Sequence, residues 1–151
     1  GWMRGLKSSG IKVPLSYEEM TELTFDGGKE AMQRLLEAEV PPSAVCCISD
    51  VVAIGAMQAL REKGIRPGQE ISIIGYDGLE LGAWLDPPLT TMHQPLKLAG
   101  EKLAQMLLNI VESGSLPLNN QELVRASLVR RETANAPLSN WPPIRKDSGK
   151  P

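Results

Sequence analysis

The chain has 151 residues, about one domain's worth and enough to bury roughly two-thirds of its unfolded surface in a core. With 16 Lys plus Arg against 18 Asp plus Glu the formal charge is −2, which excludes nonspecific electrostatic binding of nucleic acid as the main activity. A composition of 42% apolar and 23% charged residues excludes a disordered chain, because enough apolar surface is present to offset the entropy of ordering.

Residues 2–9 read as the tail of a helix closing at Gly10-Ile11, with Pro14 beyond; Gly followed by an apolar residue is a helix-end signature. Residues 20–25 are a short strand candidate. Asp26 before Gly27-Gly28 is the expected N-cap of a helix carrying Ala31, Met32, Leu35 and Leu36 on one face, and Pro41-Pro42 end it. Ala44 to Ile48 is apolar without alternation, the pattern of a strand covered on both faces, as in a parallel sheet. Ser49-Asp50 then caps a helix from Val51 to Lys63, closed by Gly64-Ile65. Ile71 to Gly75 is the next strand, followed by a loop holding Asp86-Pro87-Pro88. Pro95 opens a helix to about Ser113 with an apolar stripe of Leu96, Ala99, Leu103, Met106, Leu107 and Ile110. Leu123 to Arg131 is the final strand. From Asn135 the chain is Pro-rich and polar, a disordered tail with Trp141 as its one large apolar anchor. Strand and helix in alternation imply an α/β domain with a doubly wound, mainly parallel sheet.

The apolar runs are too short for a membrane span, and the Gly-Trp-Met-Arg start has no signal-peptide character. A first residue of Gly rather than Met means either a removed initiator or an excerpt of something longer. The 2 cysteines, Cys46 and Cys47, are adjacent on a strand and point to opposite faces. They are expected to be buried core residues of a cytosolic protein rather than a disulfide or a zinc site.

Catalytic chemistry is thin. His93 is the only histidine, and no nucleophile elbow, dinucleotide fingerprint or phosphate loop accompanies it. Gly75-Tyr76-Asp77-Gly78 has the wrong spacing for a pyrophosphate cradle, and metal ligands do not cluster. The expectation is no enzyme, no cofactor and no metal. In open α/β sheets, ligands bind outside the carboxyl ends of the strands. Ser49-Asp50 and Tyr76-Asp77 fall at two such ends. An aspartate there can accept hydrogen bonds from adjacent hydroxyls, the usual hold on a sugar or polyol. For Asp50 a plain helix-capping role stays open beside the ligand role.

Ile48-Ser49-Asp50-Val51-Val52-Ala53-Ile54-Gly55-Ala56 resembles the strand-to-helix segment of the lactose/galactose repressor (LacI/GalR) family. Ile71-Ser72-Ile73-Ile74-Gly75-Tyr76-Asp77 resembles that family's sixth-strand motif. The most specific match is Pro87-Pro88-Leu89-Thr90-Thr91-Met92-His93-Gln94-Pro95, and Leu128-Val129-Arg130-Arg131-Glu132-Thr133 is similar to the family's closing strand. The match runs in order from about residue 3 to 137.

The resemblance implies the C-terminal lobe of a type I periplasmic-binding-protein-like core, hinged around a small effector. Residues 1–94 are then the C-terminal lobe and 95–122 a crossover helix of the N-terminal lobe, which is otherwise absent. Residues 123–134 form a return strand and 135–151 the tail. The family's operator DNA is bound by a helix-turn-helix domain not present here, and a homodimer pairs the half-sites. The protein is expected to be cytoplasmic, without membrane contact.

By the resemblance, Asp77 matches the effector-binding aspartate, Ser49 stands where a family Asn or Ser can touch the ligand with Asp50 beside it, and Gln94 lies at the crossover between lobes, near the cleft. Ile54, Met57, Trp84 and Leu85 are candidates for the dimer surface, although core packing stays open for Ile54 and Met57. Two positions depart. Trp2 stands where the family places an effector-binding Arg, and Leu23 where an aromatic stacks on the sugar; Phe25, two residues on, matches a second aromatic expected to pack inward. Losing a bidentate donor and a stacking face would weaken sugar binding by roughly a few kcal/mol. An unusual effector, a non-native amino-terminal junction or a decayed site would each account for that. The leading expectation is a sugar-responsive repressor's effector-binding and dimerisation region; the alternatives are a transport system's sugar-binding protein or a non-functional truncated remnant.

Overall fold

Two devices recur at helix ends in this chain, a hydroxyl cap at two of the starts and Gly-Ile at two of the finishes. The computed structural model describes residues 1–12, 15–116 and 120–135. Helix α1, Trp2–Ser8, and helix α3, Asp50–Glu62, both close in the same way. The Ile11 amide donates to Leu6 O at 2.9 Å and the Ile65 amide to Leu60 O at 2.9 Å, while Gly10 and Gly64 take φ of 71° and 73°. That is the Schellman arrangement which Gly-Ile predicts. Ser49 Oγ accepts the Val52 amide at 3.2 Å and caps α3 as expected.

Helix α2 spans Phe25–Leu36. Its cap is Thr24 and not Asp26: Thr24 Oγ1 accepts the Gly27 amide at 3.0 Å, and Asp26 sits in the first turn, where a carboxylate still favours the helix dipole. The expected strand over 20–25 does not form, because that segment has no strand beside it and its end is committed to the cap. Phe25, expected to pack inward, is 49% exposed.

Helices α2 and α3 run side by side, backbone against backbone. A Cβ on Gly28 would lie 2.2 Å from Val52 O, and one on Gly55 2.0 Å from Phe25 O. Their shared face covers the sheet, and Met32, Met57, Leu60, Ile71, Ile73 and Leu89 form the centre of the core.

The sheet has four strands in the order β1 (Ala44–Cys46), β2 (Ser72–Asp77), β3 (Thr90–His93) and β4 (Ser127–Val129). The first three are parallel and β4 is antiparallel to β3. β1 corrects an expectation. It lies at the sheet edge with Ala44 and Cys46 exposed and Ile48 70% exposed, so only the face of Val45 and Cys47 is packed. An apolar run without alternation does not by itself say how many faces are covered. Cys46 is accordingly exposed rather than buried, and Cys47 half-buried.

β4 is shorter than the predicted 123–131 because the chain leaves β3 after Val129. It crosses to β2, where the Ile73 amide donates to Thr133 O at 2.7 Å and Thr133 Oγ1 donates to Ile73 O at 2.8 Å. Helix α4, Leu96–Ser113, follows Pro95 and contains no buried residue. Beyond Asn135, the expected tail and Trp141 lie outside the described residues, as does Pro14.

Candidate binding site at the strand ends

Three elements meet at the carboxyl edge of the parallel strands: the start of α3, the end of β2 and the end of β3. β2 does not run straight out. Asp77 has a φ of 125° and Gly78 a φ of 81°, so the chain turns sharply as it leaves the sheet. A non-glycine residue at such a φ costs of order 1–3 kcal/mol and persists only where its surroundings hold it.

The hold is visible. Asp50 Oδ2 accepts the amides of Gly78 at 3.0 Å and Leu79 at 2.7 Å, and Asp50 Oδ1 accepts the Thr91 hydroxyl at 2.6 Å. Thr91 Oγ1 in turn accepts the Gly78 amide at 3.2 Å. On the other side Gln94 Nε2 donates to Asp77 Oδ1 at 2.9 Å, and the Gln94 amide donates to Asp77 O at 3.2 Å. Gly78 must be glycine twice over, since its φ is positive and a Cβ would sit 2.5 Å from His93 Nδ1.

Asp77 is half-buried, with one carboxylate oxygen held by Gln94 and the other without a partner among the described residues. Ser49, also half-buried, uses its oxygen as an acceptor for the cap, leaving its hydroxyl hydrogen to donate. The edge therefore offers an oriented acceptor and a nearby donor, the complement of vicinal hydroxyls. The Pro87–Pro95 run can now be read physically. Leu89 enters the core, Thr91 holds Asp50, His93 lies against Gly78, and Gln94 clamps Asp77.

Asp50, expected to touch ligand, is 0% exposed with both oxygens engaged inside the fold. That role is corrected to an internal brace. Neither the brace nor Thr91 was singled out from sequence; the Thr-Thr pair at the start of a strand was the one available signal. Leu23 is 64% exposed just before the α2 cap, and Trp2 39% exposed at the start of α1. Of the residues expected at a dimer surface, Met57 is 0% exposed and belongs to the core. Its helix face is the one turned to the sheet. Ile54 and Leu85 are half-buried against the same core, while Trp84 is 85% exposed on a 3-10 turn over Glu80–Trp84.

Other chemistry is weak. Burial, with smaller contributions from Cys46 and Asp50, pushes the Cys47 thiol up to about 12, leaving it protonated and unreactive at neutral pH. Among the described residues no three His, Cys, Asp or Glu side chains gather to hold a metal ion, and no helix is long and apolar enough to cross a membrane. A concavity lined by Gln33, Leu36, Glu37, Pro41, Lys63 and Ile65 opens where α2 and α3 finish. That is the opposite end from Asp77, and its charged members Glu37 and Lys63 point to solvent.

Known proteins share this fold. The periplasmic binding protein-like domain model matches residues 2–134. The HTH-type transcriptional repressor CytR of Escherichia coli K12 is 36% identical over 132 residues, covering 84% of this chain and 39% of that protein. The ribose operon repressor of Escherichia coli K12 is 35% identical over 123 residues, covering 82% of this chain and 37% of its own length. Among solved structures, a LacI-family regulatory protein from Chloroflexus aggregans superposes with a TM-score of 0.82 at 33% identity, over 89% of this chain and 48% of that one. The lac repressor dimer bound to operator and the anti-inducer ONPF gives a TM-score of 0.80 at 34% identity, over 90% and 46%. The chain thus spans less than half the length of these relatives. On its match to the domain model and its likeness to these repressors, the chain belongs to the periplasmic binding protein-like domains of LacI-family regulators.

Proposed function

We propose that this chain is the effector-binding and dimerisation region of a LacI-type transcriptional repressor that responds to a sugar or related polyol. It acts by binding, not by catalysis, in the cytoplasm. Operator DNA is reached through a DNA-binding domain carried elsewhere in the full-length protein. The observation that carries the reading is Asp77, which is strained, braced from both sides and left with one carboxylate oxygen open among the described residues at the strand-end edge. Strain maintained at that cost is what a ligand clamp needs.

Gln94 and Ser49 share the edge with Asp77, and exposed Leu23 and Trp2 belong by this reading to the ligand's surroundings, in place of an aromatic face and a charged donor. Residues 1–94 with 123–134 form one lobe; α4 belongs with the other lobe, which leaves its stripe uncovered here. Trp84, with Leu85 at its base, is the proposed centre of the homodimer surface. Effector binding closes the lobes and biases the dimer geometry that sets operator affinity.

The test is thermal unfolding of the full-length protein, which supplies both lobes, in a panel of D-ribose, lactose and cellobiose, with Asp77→Asn as control. A sugar bound only by the folded state stabilises by about 2.7 kcal/mol at a hundredfold excess over its Kd. The reading expects at least one sugar to raise the midpoint, and the rise to vanish in Asp77→Asn. No response at millimolar sugar, or an equal response in the variant, sinks it.

A further inference from the structure

Asp50 is the one charged side chain that is fully enclosed among the described residues, and an enclosed carboxylate is costly unless donors surround it. Three donors do: the Gly78 and Leu79 amides and the Thr91 hydroxyl. None belongs to its own helix, whose capping bond is made by Ser49. Both amides follow immediately after Asp77 in the chain. Thr91 lies two residues before His93, the register partner of Asp77, and three before Gln94, which holds Asp77 from the other side. Gly75 leaves the space: a Cβ there would lie 2.1 Å from Asp50 Oδ1.

We infer that Asp50 is a positioning residue, which holds Asp77 in its left-handed conformation and so aims that carboxylate at the strand-end site without touching ligand itself. This rests on the reading of Asp77 as the ligand acceptor, but its test needs no ligand, so a failure to bind sugar and a failure of the brace are told apart. A carboxylate serving only core stability would, on removal, loosen the whole sheet evenly. A positioning carboxylate loosens the turn first.

The experiment is amide hydrogen exchange by NMR on the 151-residue chain, together with the HN–Hα coupling of Asp77, which reports its φ. In Asp50→Ser, too short to reach, Gly78 and Leu79 are expected to exchange at least about tenfold faster, with the Asp77 coupling changed. Ile73, bonded to Thr133 O at 2.7 Å, stays within about threefold. Asp50→Asn keeps an oxygen for the two amides and an NH2 for Thr91 Oγ1, so it is expected to restore the wild-type coupling. Thr91→Val removes one donor and keeps the core volume; it is expected to speed Gly78 and Leu79 but not Ile73, and it decides the question if Asp50→Ser does not fold. Equal acceleration at all three amides, or an unchanged Asp77 coupling in Asp50→Ser, overturns the inference.

Discussion

Helices α3 and α4 carry apolar stripes of similar regularity, yet one is enclosed and the other bare. On α3, Val52, Ala53, Ala56, Met57, Ala59 and Leu60 are buried. On α4 no residue is buried, and Leu96 and Leu103 are each 66% exposed. The difference lies in what stands opposite. Gly28 and Gly55 let α2 reach van der Waals contact with α3, and β2 packs against α3. No such partner faces α4 among the described residues. Periodicity announces a face to be buried, but not whether the burying surface is part of the same chain.

The sharpest way to break the α2–α3 side of this comparison is Gly55→Val. Its Cβ would fall 2.0 Å from the Phe25 carbonyl oxygen, a backbone atom that cannot rotate aside, so the helices must separate. A loss of about 3 kcal/mol or more is expected, read as failure to fold or a steep fall in the thermal midpoint. A midpoint near wild type would mean that the close approach is not maintained in solution.

Next in size is a matched pair of truncations. Met57→Ala, at 0% exposure, is expected to cost about 2–5 kcal/mol through lost contacts and a residual cavity. Leu103→Ala, at 66% exposure, is expected to stay within about 0.5 kcal/mol in the same chain. Equal losses in denaturant unfolding would show that α4 is packed after all. In a longer protein that supplies the second lobe, the α4 substitution should become the costlier of the two relative to its value here.

The smallest effect concerns the ion pair that crosses the same helix interface, Lys29 Nζ to Glu62 Oε1 at 2.8 Å. The hydrogen bond from Lys29, with another from Gln58, holds the Glu62 carboxyl below its ordinary 4.5, and the hydrogen bond to Glu62 raises Lys29 above its ordinary 10.5. A depressed carboxyl stabilises above its unfolded value and loses that contribution as pH falls through its folded value. A raised ammonium stabilises below its unfolded value and loses it as pH rises through its folded one. Both groups are exposed, so screening leaves little. Glu62→Gln should therefore differ only slightly from wild type between about pH 5 and 10, and the difference should close below pH 4.5 and above pH 10.5. A gap that persists into acid would assign it to packing rather than charge.

Much of the fold was legible because its signals are local. Gly10-Ile11 and Gly64-Ile65 end helices through bonds spanning five residues, and Ser49 caps α3 through one spanning three. The place of Asp77 at a strand end was legible from the pattern of elements and from family likeness, and its ligand role is the reading proposed above. Asp50 was misassigned because its partners lie 28, 29 and 41 residues away. Sequence order says nothing about which strand turns toward a helix start. Met57 stayed open between core and dimer surface for a related reason, since helical spacing shows that a face is apolar, not whether core or partner receives it.

By itself, then, and with β3 and the start of α2 escaping it, the sequence determined most of the alternation of helices and strands, the ends of α1 and α3, and the family. These follow from short-range capping, periodicity and a long specific motif. The tertiary structure alone decided which carboxylate braces and which is presented, that one face of β1 is bare, and that residues 130–135 cross from β3 to β2. Each of those depends on contacts between segments distant in the chain. Such contacts form only when loop-closure entropy is offset by several of them at once, so no single residue pattern announces them.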